Sequence, residues 1–296
     1  MWFKNLRIFR LKDDWKCTAS ELESLLSEQT FQPAGQLTEV NSGWIPPKEN
    51  GNLVHDVDGQ YLLALRTEKK LLPATVVNQF AKTRAIEIED QQGYKPGRKQ
   101  MKDLKEQIRD ELLPKAFSLY KDTNLWIDTR NKWVAIDSAS SGPADEIIGL
   151  LTKVLQPFPL TPVFTETPPA SAMTEWLLIN EAPANFNIDE EVELKATDDS
   201  RATVKYVRHS VSPDLAKQHI ESGKQCTRLA LTWADRVSFV VNESLELKRV
   251  TPLEVISERK NSDDGLDEDL TLMAGELNQL LNDLVAAFGG EKEGEF

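Results

Sequence analysis

Cysteine and histidine are scarce in this chain of 296 residues, which has only Cys17 and Cys226 and only His55, His209 and His219. Two thiols so far apart cannot make a disulfide framework. With no Cys-x-x-Cys and no histidine pair at helical spacing, a His/Cys zinc pattern is missing as well. Both cysteines are expected to be free, buried thiols in a reducing compartment. No apolar run approaches the roughly 18 residues that a membrane span needs. Met1-Trp2-Phe3-Lys4 lacks the basic-then-apolar order of a secretory signal, so a cytoplasmic protein without membrane attachment is expected. Gly93-Tyr94-Lys95-Pro96-Gly97-Arg98-Lys99-Gln100 superficially looks like a phosphate loop, but its glycines are one residue too close and no Ser or Thr follows the lysine. There is no Gly-x-Ser-x-Gly, and Ser140-Ser141-Gly142 reads as a loop and helix cap. Asp263-Asp264 and Asp267-Glu268-Asp269 carry oxygen ligands suited to magnesium, yet nothing else marks a two-metal nuclease, and they read as a solvated acidic loop entering a helix. No catalytic residue, metal or cofactor is therefore assigned, and the chain is not expected to be an enzyme.

What the chain does have is charge, unevenly spread. Its 35 Lys and Arg against 48 Asp and Glu give a formal net charge of -13, with 40% hydrophobic residues, enough for a buried core. At about 150 residues per domain, the length suggests roughly two domains. A uniformly acidic surface would repel nucleic acid and anionic membranes. Two basic islands break that uniformity. Residues 95–105 hold five bases against Asp103 alone, and residues 201–249 hold nine bases against five acids, each a net +4. Residues 166–199 and 258–296 are acidic blocks, each a net -8. These blocks are expected to face outward or toward neighbours.

Local patterns predict an α+β protein of antiparallel sheets and hairpins with flanking helices. Trp2–Leu11 reads as a strand, and Thr18 with Glu21 as a capping box before Leu22, Leu25 and Leu26. Asp58-Gly59 suits a two-residue hairpin turn between Leu53–Val57 and Gln60–Arg66. One helix is expected to start at Pro73 and end at Gly93, and another to run from Arg98 to near Pro114; back to back they suggest a protruding helical hairpin. Leu125–Asp128 with Trp133–Ile136 reads as a hairpin, Pro143–Gln156 as a helix and Ala202–Arg208 as a strand. Ser212-Pro213 caps a short helix ending at Gly223, and strands follow at Thr227–Trp233, Arg236–Val241 and Leu245–Val250. A helix with Leu270, Met273, Leu277, Leu280, Leu281, Leu284 and Phe288 on one face closes the chain. The expected organisation is an N-terminal core of residues 1–72 and 121–156, a helical finger-like region of residues 73–120, a Pro-rich linker of residues 157–170, and a C-terminal α+β region of residues 171–296.

The helix from Arg98 has three faces. At about 100° per residue, Arg98, Lys102, Lys105 and Arg109 share a stripe about 60° wide, with Met101, Leu104, Ile108 and Leu112 on one side and Asp103, Glu106 and Asp110 on the other. At about 1.5 Å per residue the stripe is roughly 16 Å long, enough for two or three successive phosphates. The competing reading is a solvated helix whose bases pair with acids three or four residues away. In the second island, Arg201, Thr203, Lys205, Val207 and His209 alternate with Ala202, Val204, Tyr206 and Arg208, and the four-residue spacing of Lys224 and Arg228 puts both on one side of a strand. On its own this reads equally as an ordinary polar sheet face. Phosphate contacts without base-reading motifs imply sequence-independent binding.

Met1-Trp2-Phe3-Lys4-Asn5-Leu6 with Arg10-Leu11, Gly43-Trp44-Ile45-Pro46-Pro47, Leu112-Leu113-Pro114-Lys115-Ala116-Phe117 and Trp126-Ile127-Asp128 begin an ordered set of short strings. Thr174-Glu175-Trp176, Gly223-Lys224 with Leu229-Ala230-Leu231, Leu247-Lys248-Arg249 and Gly275-Glu276-Leu277 complete it. Together, and over essentially the whole chain, they resemble the bacterial RdgC family of recombination-associated proteins; no single string is diagnostic. The resemblance implies a ring-shaped homodimer closed by two subunit contacts, with a positively lined hole that encircles double-stranded DNA. It further implies sequence-nonspecific DNA binding, nucleoid association in the cytoplasm, and restraint of RecA by occupation of its DNA. Whether single-stranded DNA is also a partner stays open. By the same resemblance Lys95, Arg98, Lys99, Lys102, Lys105, Arg109 and Lys115 match DNA-binding positions, Arg208, Lys224 and Arg228 are lining residues of the second island, and Phe117 matches a dimer contact. The alternative function is an acidic protein-interaction factor that inhibits a recombinase directly.

Overall fold

The computed structural model describes residues 1–49, 51–157, 159–257 and 265–292. In chain order it runs β1 (Asn5–Leu11), α1 (Ala19–Leu26), β2 (Val40–Ile45), β3 (His55–Val57), β4 (Gln60–Lys70), α2 (Ala74–Gln92) and α3 (Arg98–Leu112). It continues with β5 (Ser118–Asp128), β6 (Trp133–Asp137), α4 (Ser141–Val154), β7 (Leu160–Pro162), α5 (Pro169–Ile179), β8 (Phe186–Ala196), β9 (Thr203–Val207) and α6 (Pro213–Glu221). The last elements are β10 (Lys224–Trp233), β11 (Val237–Asn242), β12 (Leu247–Pro252), α7 (Glu254–Ser257) and α8 (Leu266–Ala287). This is the expected α+β class, with twelve strands in the order β2-β4-β5-β6-β1-β12-β11-β10-β8-β9, β3 joined to β4 and β7 joined to β1.

The elements divide into two units. One comprises residues 1–25, 46–63 and 124–296, the other residues 26–45 and 64–123. The Pro-rich segment 157–170 lies inside the first unit, where β7 pairs with β1 through Phe9↔Pro162, Arg10↔Thr161 and Leu11↔Leu160. Pro162 ends that strand, where its missing N–H costs least.

In the first unit the Thr18 capping box forms as expected. The Thr18 N–H donates to Glu21 Oε2 at 2.8 Å, and the Glu21 N–H donates to Thr18 Oγ1 at 3.3 Å. At the β3–β4 turn Asp58 (φ 54°) and Gly59 (φ 81°) are both left-handed, the requirement of a two-residue hairpin. Leu270, Met273, Leu277, Leu280, Leu281, Leu284 and Phe288 of the α8 region are all buried, and Phe288 stacks on Trp176 at 5.1 Å. Three buried tryptophans keep their indole N–H groups bonded: Trp126 to Gln60 at 2.7 Å, Trp133 to Asn282 at 3.1 Å and Trp233 to Asp283 at 2.8 Å. The acidic first turn of α8 is also engaged, with Asp267 2.9 Å from His55 and Asp269 paired with the Met1 amine. Burial pushes the Cys226 thiol up to about 12, so it stays protonated at neutral pH. Cys17, expected buried, is half-exposed.

In the second unit α2 and α3 form a helical hairpin around Ala81, Leu104 and Ile108, flanked by Val77, Ala85, Ile88, Met101 and Leu112. Gly93, at φ 81°, ends α2 in the left-handed conformation that glycine adopts without a steric penalty. Pro73 is the residue before α2 rather than its first residue, with an extended ψ of 140°. At Gly43 a side chain has no room, because a Cβ there would lie 2.3 Å from the Phe31 Cα. That close approach lets the Phe31 N–H reach the Trp44 carbonyl at 2.9 Å.

Five elements went unread in the sequence, the short β7 and α7 among them. β8 contains Asp189, Glu190, Glu191 and Glu193, residues poor in strand propensity. α5 buries Ala172, Met173, Thr174, Trp176 and Leu177 with no single apolar stripe to reveal it. β2 is short and interrupted by Gly43.

Candidate nucleic-acid interface

The basic stripe of α3 exists as a physical surface. Met101, Leu104, Ile108 and Leu112 pack toward α2, which turns the neighbouring side of the helix outward and leaves Arg98, Lys102, Lys105 and Arg109 exposed. Lys95, Lys99 and Lys115 are exposed too. Two of these bases meet carboxylates: Arg109 pairs with Glu39, and Lys102 lies 3.9 Å from Glu106 in the next turn. Among the described residues, Lys95, Arg98, Lys99, Lys105 and Lys115 have no ion-pair partner within 4.0 Å. The solvated-helix reading, pairing within the helix, therefore holds for Lys102 alone; Arg109 is paired from outside the helix. Glu39, Leu72, Ala74, Val77, Lys105 and Arg109 are among the residues around a cavity of about 360 Å³ beside this stripe.

The second island is built differently. In an antiparallel ladder, facing residues share a side of the sheet. Cys226 faces Leu194, both fully buried, and the Cys226 N–H donates to Thr174 Oγ1 of α5 at 2.9 Å. Arg228 faces Glu193, one residue back along β8 but two along β10, so β10 carries a bulge between them. The extra residue reverses the alternation. Lys224 thus lies on the helix-covered side with Cys226, where its Nζ donates to Ser222 Oγ at 2.8 Å, and Arg228 lies on the open side. The expectation that a four-residue spacing keeps both bases together fails because it assumed an unbroken strand. Arg208, just beyond β9, is exposed with φ 53°, and Arg201 before it has φ 47°, so the simple alternation of the island stops at both ends of β9.

On the open side, acid and base interlock. Glu193 lies 3.7 Å from Arg228, and Glu191 lies 2.6 Å from Arg249 and 3.6 Å from Lys205. Glu246 pairs with Arg7, lies 3.4 Å from Lys248, and accepts from Asn242 at 2.9 Å. Arg249 occupies an irregularity between β11 and β12 at φ 54°, and from there its side chain reaches Glu191 on β8. Burial works to raise the Glu191 carboxyl, but the Arg249 and Lys205 charges outweigh it and hold Glu191 below the ordinary carboxylate range. The acidic block of residues 166–199 thus does not simply face outward: Glu191 and Glu193 are only 14% and 18% exposed among bases. Arg7, Lys205, Lys248 and Arg249 were not singled out from the sequence as site residues. The signal that could have found them is the alternation of Glu191 and Glu193 along a strand set beside basic strands.

Phe117 is 83% exposed, flanked by exposed Leu71 and Leu119, and its carbonyl accepts from the Leu71 N–H at 2.7 Å. The backbone is fixed while the ring stands in solvent. Tyr120 differs, resting edge-on against Phe31 at 5.8 Å beneath Arg66. No helix among the described residues is long and apolar enough to cross a membrane. Among the described residues no three His, Cys, Asp or Glu side chains group closely enough to share a metal ion, and Asp263 and Asp264 lie outside those residues.

A family model described as "Putative exonuclease, RdgC" matches residues 1–291. The chain belongs to the RdgC family. It is 57% identical over 297 residues to the recombination-associated protein RdgC of Bordetella pertussis, with 99% of each chain covered. The RdgC of Cupriavidus necator is 52% identical over 298 residues, covering 99% of this chain and all of that one, and the RdgC of Janthinobacterium sp. is 51% identical over 298 residues, covering 99% of both. The likeness to RdgC proteins is thus continuous from end to end. The family model's description names a nuclease and the relatives' names a recombination role, so membership by itself leaves enzymatic status unassigned.

In this RdgC chain the Arg109–Glu39 pair joins α3 to the loop before β2 through side chains that are both more than a third exposed. Exposed pairs of this kind contribute roughly 0.2–1 kcal/mol. A double-mutant cycle with Arg109→Ala and Glu39→Ala, followed by urea unfolding, should give a coupling energy in that range. A much larger coupling would make Arg109 a structural residue instead of a base available to ligand.

Proposed function

We propose that this protein binds double-stranded DNA without reading its sequence, as a homodimer closed around the duplex, and restrains RecA-promoted strand exchange by occupying the DNA. The observation that carries this reading is the exposed stripe of Arg98, Lys102, Lys105 and Arg109, held outward by the packing of α3 on α2. Bases in a row about 16 Å long match successive phosphates of one strand, and phosphate contacts position a protein without selecting a sequence. The same contacts suit single-stranded DNA. Lys95, Lys99 and Lys115 extend the stripe, and Arg208 and Arg228 are the candidate bases of the second island. Lys224, tied to Ser222 on the helix-covered side, is the weakest of the candidate bases.

Phe117 supplies the ring-closing dimer contact in this reading, since a solvent-exposed aromatic on a fixed backbone is suited to burial against a second subunit. Cytoplasmic, nucleoid-associated localisation follows from binding any duplex. A net charge of -13 disfavours adhesion of DNA to arbitrary surface, so the basic patches carry the binding. The rival, an acidic factor acting on the recombinase directly, needs its acids free for a partner. Pairing of Glu191 and Glu193 with bases weakens it.

The stripe is tested by the triple variant Arg98→Ala, Lys102→Ala, Lys105→Ala, titrated against duplexes of unrelated sequence at several salt concentrations. Affinity should fall about equally for all of them, and the log-log salt slope should flatten by up to about 2.7, at about 0.9 for each phosphate no longer neutralised. Unchanged affinity would remove α3 from the interface. Phe117→Ala should weaken duplex binding several-fold while leaving the melting temperature near that of the parent, because the ring buries little in the monomer; intact binding would reduce Phe117 to an ordinary surface residue. Incubated with magnesium and labelled duplex, the protein should leave the DNA whole. Cleavage would favour the nuclease description instead.

A further inference from the structure

The open side of β8, β9 and β10 has a property that DNA binding alone does not require: its bases already hold carboxylates. Glu191 takes Arg249 and Lys205, and Glu193 takes Arg228 and also accepts from the Thr227 hydroxyl at 3.1 Å. Both acids are largely buried, whereas Arg228, Lys205 and Arg249 are each at least 41% exposed. The bases therefore cover the acids and present their outer donors to solvent. A carboxylate gives a guanidinium two acceptor oxygens in a plane, the same offer that a phosphate makes.

We propose that Glu191 and Glu193 are internal counter-ions that stand in for DNA phosphates, holding Arg249, Lys205 and Arg228 in place when no nucleic acid is bound and competing with it for them. The inference rests on the DNA-binding reading above and adds how the affinity of that surface is set. When a phosphate takes one of these bases, the displaced carboxylate is left near the DNA and gathers a cation from solution. Net cation release is then smaller than the number of phosphates bound, and binding is weaker and less salt-sensitive than the bases alone would give. Glu246 is set apart from this pair: it is also held by Asn242, whose N–H donates to the Glu246 carbonyl, and so fixes the turn between β11 and β12.

The test uses Glu191→Gln and Glu193→Gln made singly in the full chain, with Glu175→Gln on the exposed side of α5 as a control for the same change in net charge. Glutamine keeps the size and one acceptor, so both are expected to fold, with some loss of melting temperature as the ion pairs are removed, and each tests the proposal if the other fails to fold. Each should bind a duplex of arbitrary sequence roughly threefold more tightly than the control, the effect of removing one like charge about 7 Å from a phosphate at near-water dielectric. The log-log salt slope should steepen by up to about 0.9 for each base released. If the parent binds duplex but both variants match the control in affinity and slope, or bind more weakly, the counter-ion role is wrong and DNA binding stands. If the parent itself binds no duplex at low salt, the DNA-binding reading falls and takes this inference with it.

Discussion

Ion pairing across the open side of the antiparallel sheet is the constraint on which the charge presentation of this protein depends. Strand alternation sends Leu194, Cys226 and Leu229 to one side, beneath α5 and α6, and sends Glu193 and Arg228 to the other. Apolar burial on the first side fixes the register, and the register then decides which charges meet. Two irregularities adjust the result. The bulge in β10 separates Lys224 from Arg228, and the break between β11 and β12 turns Arg249 toward Glu191. A chain with a net charge of -13 thus carries a face where Arg7, Lys205, Arg228, Lys248 and Arg249 are set against Glu191, Glu193 and Glu246.

The other unit solves the same problem without a sheet. The apolar side of α3 is consumed by α2, so the helix has one orientation and its basic stripe has one direction. Two of its four bases, Arg98 and Lys105, have no acidic partner within 4.0 Å among the described residues, in contrast with the interlocked bases of the sheet. The molecule therefore offers two kinds of positive surface: one free, on a helix, and one held by internal carboxylates, on strands. A phosphate backbone would meet little competition at the first and would have to displace an acid at the second.

Much of this was legible in the sequence, and the limits were physical. The capping box at Thr18, the turn at Asp58-Gly59, the helix end at Gly93 and the apolar stripe of α8 are local signals, and local rules recover them. The α3 stripe was legible for the same reason, since a helix face is set by spacing alone. The sheet side was not. A bulge is a property of two strands, and nothing within Lys224–Arg228 announces it. The acids of β8 read as a charged block because their partners, Lys205, Arg228 and Arg249, are 12 or more residues away. Ordered family strings such as Gly43-Trp44-Ile45-Pro46-Pro47 marked a position whose reason appears only in the fold, where the Phe31 backbone leaves no space for a Cβ.

Closure around DNA is the central claim, and topology tests it most directly. The protein is loaded at low salt onto covalently closed circular DNA and onto a short linear duplex of the same sequence, then challenged with high salt. Encirclement by a closed dimer predicts that protein stays on the circle and leaves the linear duplex, from whose ends it can slide. Equal release from both would contradict the ring and leave an open, purely electrostatic binder.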